Sequence, residues 1–263
     1  MAKLPDNPRI LLSNDDSIHA TGFAVLERIA HALSDDVWVC APEAEQSAAS
    51  HSLTIHRPLR LREIGEKRFA VDGTPTDCVL LAINHVMRDH KPDLVLSGVN
   101  HGRNIAEDVT YSGTIAAAME ATLLGVRAVA LSQEFLDGAS PQWSLAEKWG
   151  PEVIRRAVAV DWPDKVLINV NFPGIEPDEV SGVRVVAHGN RKIADVLDER
   201  VDPRGRRYFW IGTSRSTDEI PHDTDVHALM DKAISVTPIH LDLTQYEAIG
   251  PLSDAFEADP IRM

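Results

Sequence analysis

Arg9-Ile-Leu-Leu-Ser-Asn-Asp-Asp16 is the stretch on which the fold turns: an apolar run of strand length gives way at once to an amide and two adjacent carboxylates. Short apolar runs bounded by turn formers read as buried strands. Downstream, Leu26, Ile29, Ala30 and Leu33 recur at the i, i+3, i+4, i+7 spacing of a helix face, and Val37–Ala41 is a second β-branched run. Strand, helix and strand in that order make a βαβ unit with parallel strands.

The rhythm continues. Further strand-like runs lie at Asp93–Ser97, Ala128–Ser132, Val166–Val170 and Val183–Ala187. Thr74-Pro-Thr-Asp77 opens a helix with Thr74 as N-cap, Pro75 in the first turn and an acidic residue three after the cap. Its apolar side carries Val79, Leu80, Ile83 and Val86 before Lys91-Pro92 leads into the next strand. The alternation predicts an α/β fold: a three-layer, Rossmann-like, doubly wound and mostly parallel sheet. Leu59–Glu63 and Arg68–Val71, around Gly65, read as a β-hairpin inserted between parallel units. After Ala187 a polar stretch, Asp202-Pro-Arg-Gly-Arg206, precedes Tyr208-Phe-Trp-Ile211, a Ser/Thr/Asp-rich loop covers Thr213 to Asp225, and Ile234–Thr237 and Ile239–Leu243 read as two more strands. The chain is therefore expected to form one domain, with a core over about residues 9 to 190 and a β-rich C-terminal extension over about 191 to 263.

Composition narrows the function. With 40 acidic against 26 basic residues the formal charge is −14, which opposes binding to a nucleic-acid polymer or to an anionic membrane. The most apolar region, Thr114 to Leu131, is interrupted by Glu120, Gly125 and Arg127 and reads as a buried helix followed by a strand, not a membrane span. The start of the chain lacks the apolar centre of a signal peptide. Cys40 and Cys78 lie in apolar segments, as buried thiols do in a reducing compartment, so a cytosolic location is expected.

In open α/β sheets, ligands bind beyond the carboxyl ends of the strands, which is where Asp15 and Asp16 fall. On those residues alone, turn former or helix cap is the leading reading. Two other strand ends add to it: Val37–Ala41 runs toward Ser47, and Asp93–Ser97 runs toward Asn100. Asp15, Asp16, Ser47 and Asn100 are hard oxygen donors, suited to Mg²⁺ or Mn²⁺ over zinc. Beside them Tyr111-Ser-Gly-Thr114 opens a small-residue helix, and Ser112, Gly113 and Thr114 would offer hydroxyls, free N–H groups and room for a phosphate. Taken alone, that segment equally fits an ordinary capped helix. Together, a cation and an anion seat suggest phosphate-monoester hydrolysis by direct attack of water, with Asp15 or Asp16 as ligand, base or both. His19, His51, His101 and Arg103 read as surface or supporting groups.

Read in order, Leu12-Ser-Asn-Asp-Asp16, Ala41-Pro42 with Gln46-Ser47, Gly73-Thr-Pro-Thr-Asp-Cys78, Ser97-Gly-Val-Asn100 with Gly102 and Asn104, and Tyr111-Ser-Gly-Thr114 resemble the SurE family of nucleotidases. The likeness is dense from about Arg9 to Ser132, and later segments such as Asp202-Pro-Arg-Gly-Arg206 and Ser235-Val-Thr-Pro238 also look like the family. It implies a metal-dependent phosphatase for nucleoside 5′-monophosphates, with 3′ and polyphosphate activity in some members. It assigns one divalent cation to Asp15, Asp16, Ser47 and Asn100, and the phosphate to Asn104, Ser112, Gly113 and Thr114. It also implies homodimers or homotetramers built by exchanging C-terminal elements. The chain departs from the family pattern where glycine is usual, at Ser17, at Ala48 and at Lys232-Ala233, and has His101 where a small residue or lysine is usual. A phosphatase for a non-nucleotide substrate and a non-catalytic nucleotide-binding module are the alternatives.

Overall fold

Each residue of the opening strand is buried, and the side chains alternate between two cores: Ile10 and Leu12 join one apolar cluster, Leu11 the other. A strand covered on both faces is central to a sheet with helices on either side. The computed structural model describes residues 4–135, 142–190, 196–212 and 220–258. In chain order these form β1 (Ile10–Ser13), α1 (Thr21–His31), β2 (Val37–Pro42), β3 (Leu61–Gly65), β4 (Arg68–Val71), α2 (Pro75–Leu81), β5 (Leu94–His101), α3 (Gly113–Leu123) and β6 (Arg127–Gln133). There follow α4 (Ser144–Val158), β7 (Val166–Phe172), β8 (Gly182–Val185), β9 (Val196–Val201), β10 (Arg207–Gly212), α5 (Asp225–Met230), β11 (Ala233–His240) and α6 (Ile249–Ala258).

Nine strands make one sheet in the order β3-β4-β2-β1-β5-β6-β7-β11-β8. From β4 to β7 every pairing is parallel. The first cluster packs Phe23, Leu26 and Ile29 of α1 against Leu145, Val153 and Ile154 of α4. The second packs Val79 of α2 and Ile115, Ala117, Ala118 and Ala121 of α3 on the opposite face. The chain is thus a three-layer α/β fold with a mostly parallel sheet. The alanine run lets α3 lie close against the strands, since each of these side chains reaches little beyond its Cβ.

The expected capping box opens α2: Thr74 Oγ1 accepts from the Asp77 N–H at 3.1 Å, and Asp77 Oδ2 accepts from the Thr74 N–H at 2.9 Å. Other details differ from the sequence reading. The hairpin belongs to the main sheet, because β4 pairs parallel with β2 and β3 adds an antiparallel edge. Strand β5 runs on past Ser97 to His101 after a register shift, which carries Asn100 on the strand itself. Residues 234–243 hold one strand in place of two. It passes through Pro238 because pairing with β8 ends at Val236, so the proline leaves no ladder donor missing on that side. Tyr208–Ile211 lies in β10, which pairs with β9, a strand the sequence reading lacked. Of the loop read over Thr213 to Asp225, residues 213–219 lie outside the described residues.

Candidate functional site

Strands β1, β2 and β5 are neighbours, so the loops after them meet at one edge of the sheet. The β1 end is fixed first. Asn14 is 1% exposed, and its Nδ2 donates to the Ser17 carbonyl at 2.7 Å, closing the turn that carries Asp15 and Asp16. The Asp15 carbonyl accepts from the Gln46 N–H at 2.7 Å, which ties the Ser47 loop to that turn. Asp16 Oδ2 accepts from the His101 N–H at 3.0 Å, which ties in the end of β5. Asp15 Oδ1 accepts from the Thr114 hydroxyl, which brings in the start of α3. Four segments far apart in sequence therefore converge on two carboxylates.

Gly113 explains how α3 comes so close. A Cβ there would lie 2.7 Å from Asp15 Cβ and 2.9 Å from Oδ2, so only glycine leaves room. Ser112 caps α3 by accepting from the Ile115 N–H at 3.1 Å, and its own hydroxyl hydrogen stays free for an acceptor. The first-turn N–H groups of Gly113 and Thr114 have no intrahelical partner by construction. Thr114 directs its hydroxyl hydrogen to Asp15 and its main-chain N–H also acts on that carboxylate, which leaves the Gly113 N–H for an anion.

The remaining candidates sit around this centre. Asn100 Nδ2 donates to the Gly102 carbonyl at 2.8 Å, leaving Oδ1 without a donor among the described residues. Ser47 is exposed and donates to Glu45 Oε1 at 2.7 Å; no hydrogen bond joins its side chain to either aspartate. Asn104 is 6% exposed and held by a buried amide network: its N–H donates to Asn171 Oδ1 at 2.7 Å, its Nδ2 to Ser132 Oγ at 2.8 Å, and its carbonyl accepts from Asn169 and Asn171. One of its two amide hydrogens is left for a ligand. Sequence reasoning lacked this network, since Ser132, Asn169 and Asn171 lie on distant strands and carry no motif. It also lacked the pair of His51 with Glu120 at 2.9 Å and the ion pair of Arg103 with Glu134.

Electrostatics single out the aspartates. Burial pushes Asp15 up; the Thr114 hydroxyl opposes this, the charge of Asp16 adds to it, and its pKa stands at about 6. Burial likewise raises Asp16, against the His101 N–H and with a contribution from Glu45. No Lys or Arg forms an ion pair with either among the described residues, nor do three or more His, Cys, Asp or Glu side chains gather there in a metal-binding group. Two desolvated carboxylates without a Lys or Arg partner, at the strand edge that also ends in Asn100 with its unengaged Oδ1, fit a hard divalent cation that brings the missing counter-charge.

The family model described as "Survival protein SurE" matches residues 10–195. The chain belongs to the SurE family. It is 56% identical over 252 residues to the protein named 5′-nucleotidase SurE from Paramagnetospirillum magneticum, covering 96% of this chain and 97% of that one. It is 55% identical to the protein of the same name from Brucella canis, covering 94% and 98%. Among solved structures, the SurE protein from Aquifex aeolicus superposes with a TM-score of 0.84 at 34% identity, covering 94% of this chain and 99% of that one. The SurE sheet thus carries Asp15 and Asp16 at its edge, and no helix among the described residues is long and apolar enough to cross a membrane.

Proposed function

We propose that this SurE protein is a divalent-metal-dependent nucleotidase, which hydrolyses nucleoside 5′-monophosphates, and 3′-monophosphates as second substrates, to nucleoside and inorganic phosphate. The observation that carries the reading is the Asp15–Asp16 pair: Asp15 buried and pressed against the start of α3, Asp16 half-buried, both carboxyls raised, and neither ion-paired with a Lys or Arg among the described residues. The relatives named 5′-nucleotidase support it. Asp15, Asp16, Ser47 and Asn100 would hold one Mg²⁺ or Mn²⁺. Such a cation supplies Lewis acidity toward phosphoryl oxygen and acidifies water.

The chain's own groups do the rest. The Gly113 N–H, the Ser112 hydroxyl and the free amide hydrogen of Asn104 bind the phosphate oxygens, and Thr114 holds the start of α3 in place beside them. Thr114 fixes Asp15 by donating to it. Asp15 or Asp16 takes the proton of the attacking water. The test is phosphate release from nucleoside 5′- and 3′-monophosphates and short polyphosphate, with Mg²⁺, Mn²⁺ or chelator. Turnover that needs the metal supports the proposal. Binding without turnover in either metal overturns it in favour of a nucleotide-binding module.

The proposal includes a homodimer or homotetramer formed through C-terminal elements. Helix α6 exposes Ile249, Leu252 and Phe256, and the β9–β10 hairpin exposes Phe209, Trp210 and Ile211. An apolar hollow of about 540 Å³ between α4 and the β7–β11–β8 end of the sheet, lined by Trp162, Val183, Val185 and Pro238, contains no site residue and suits a second copy better than a substrate. Light scattering checks this: a monomer at tens of micromolar overturns the assembly. A cytosolic location belongs to the same proposal, supported by Cys40 and Cys78, both buried and free.

A further inference from the structure

Asp16 faces two ways. Toward β5 it accepts from His101, and toward solvent it lines a separate hollow of about 370 Å³ whose other walls are Ala20, Thr21, Gly22, Glu45, His101 and Trp143. That volume falls within the range of small-molecule pockets. None of the phosphate-binding groups lines this space, so it serves some other part of a ligand that starts at Asp16.

Its outer wall is aromatic. The His101 ring stacks on Phe135 with centroids 4.5 Å apart and 29° between planes, and Trp143 stands edge-on to Phe135 at 4.9 Å and 6.2 Å from His101. The indole rests against α1 at Gly22, where a Cβ would lie 2.1 Å from the Val99 carbonyl oxygen and 2.7 Å from Trp143 Cη2, so glycine lets α1 lie close to both β5 and the ring. Trp143 also packs on the apolar core, which holds its plane in place. The same hollow is lined by Asp16, beside His101, and by Glu45, whose carboxylates accept from hydroxyl groups. A hollow that combines aromatic rings with hydroxyl acceptors and reaches the site at Asp16 matches a sugar that carries a heteroaromatic base.

We propose that this hollow is the nucleoside subsite, with the base against the His101–Trp143 wall and the ribose hydroxyls toward Glu45. Flat aromatic faces bind any base by stacking, so the site selects for the presence of a base more than for its identity. The inference rests on the nucleotidase reading and adds to it the residues that distinguish a nucleotide from any other phosphate monoester.

The experiment compares AMP with ribose 5-phosphate in the wild type, Trp143→Leu and Trp143→Phe, and titrates each protein with adenosine by calorimetry. Expected for Trp143→Leu is a loss of tenfold or more in kcat/KM for AMP, carried by KM, with ribose 5-phosphate changed less than twofold. Trp143→Phe, which keeps a flat ring, recovers most of the loss. The ribose 5-phosphate rate also shows that each variant is folded. Equal losses on both substrates, or no loss on AMP, overturn the subsite. If the wild type releases phosphate from neither substrate, the nucleotidase reading falls and the titration decides: adenosine binding lost in Trp143→Leu supports the subsite, while equal or absent binding overturns it.

Discussion

The Thr114 hydroxyl donates to Asp15 Oδ1, which makes the start of the phosphate-seat helix and the most buried carboxylate of the site one mechanical unit. Thr114→Val keeps the shape and removes only the donor. A hydrogen bond to a charged group contributes about 1.5–3 kcal/mol, so kcat/KM for a nucleoside monophosphate is expected to fall roughly 10- to 100-fold. Steady-state kinetics check this, with a denaturant melt to show that the fold persists. Unchanged kinetics would mean that Asp15 is oriented by something else.

Asp15→Asn separates chemistry from stability. The carboxylate is held at about 6 by burial, above its unfolded value of about 3.9, so at neutral pH its ionisation works against the metal-free fold. The amide removes that penalty. Phosphate release should vanish while the melting temperature without metal stays level or rises. In addition, Mn²⁺ should raise the melting temperature of the wild type and leave the variant unmoved. A metal-induced shift of equal size in both proteins would remove Asp15 from the ligand set.

Gly113→Ala sets helix propensity against contact. Alanine is the better helix former by about 0.8–1 kcal/mol, so propensity alone forecasts a gain. Its Cβ, however, would meet Asp15 Cβ at 2.7 Å and Oδ2 at 2.9 Å. The start of α3 or the carboxylate must move, and a displacement on the order of 1 Å at a reacting centre costs about 100-fold. Activity is expected to drop by that order, as measured by kcat. Retained activity would show that the helix start yields without consequence.

These relationships mark where the sequence is readable. The βαβ core was legible because burial on both faces leaves an unbroken apolar run at Ile10–Leu12 and a clean helical period at Leu26, Ile29 and Ala30. The placing of Asp15, Asp16 and Asn100 at one edge followed from strand order, since residues at parallel strand ends meet whatever the details of the loops. Partners supplied by distant segments left no local trace: the bond of Thr114 to Asp15 and the amide network around Asn104 depend on which strands become neighbours. The C-terminal strand was divided at Pro238 because a proline ends a strand only when both its edges are paired, and sequence does not say which edge is empty.

Ser17 has φ of 90°, one of the positions where the family pattern has glycine; Ala48 (59°) and Lys232 (58°) share the sign. Backbone in this region costs a non-glycine residue about 1–3 kcal/mol, while glycine loses roughly 0.4–1 kcal/mol through its freer unfolded state. The contacts of Ser17 with Asn14 and Ala20 are made through its carbonyl, which glycine keeps, and the only side-chain bond lost among the described residues is the long one, 3.4 Å, that its hydroxyl accepts from the His19 N–H. Ser17→Gly is therefore expected to stabilise the protein by about 1 kcal/mol in chemical denaturation. A loss of stability would show that the turn is not strained at this residue.

Asp36 gives a pH-dependent prediction away from the site. Burial alone would raise its carboxyl, but hydrogen bonds from Lys67, Arg9 and Trp38 outweigh that and hold it at about 2. The folded value lies below the unfolded value of about 3.9, so the contribution is complete above about pH 4 and is lost as pH falls through about 2. With the side chain 22% exposed, solvent screens only part of it, and about 1–2 kcal/mol is expected at neutral pH. Asp36→Asn should be less stable than wild type by that order at pH 7, and the two denaturation curves should converge as the pH is lowered from 4 toward 2. A gap that stays constant across that range would mean that the network around Asp36 acts through packing and neutral hydrogen bonds, with its charge contributing nothing.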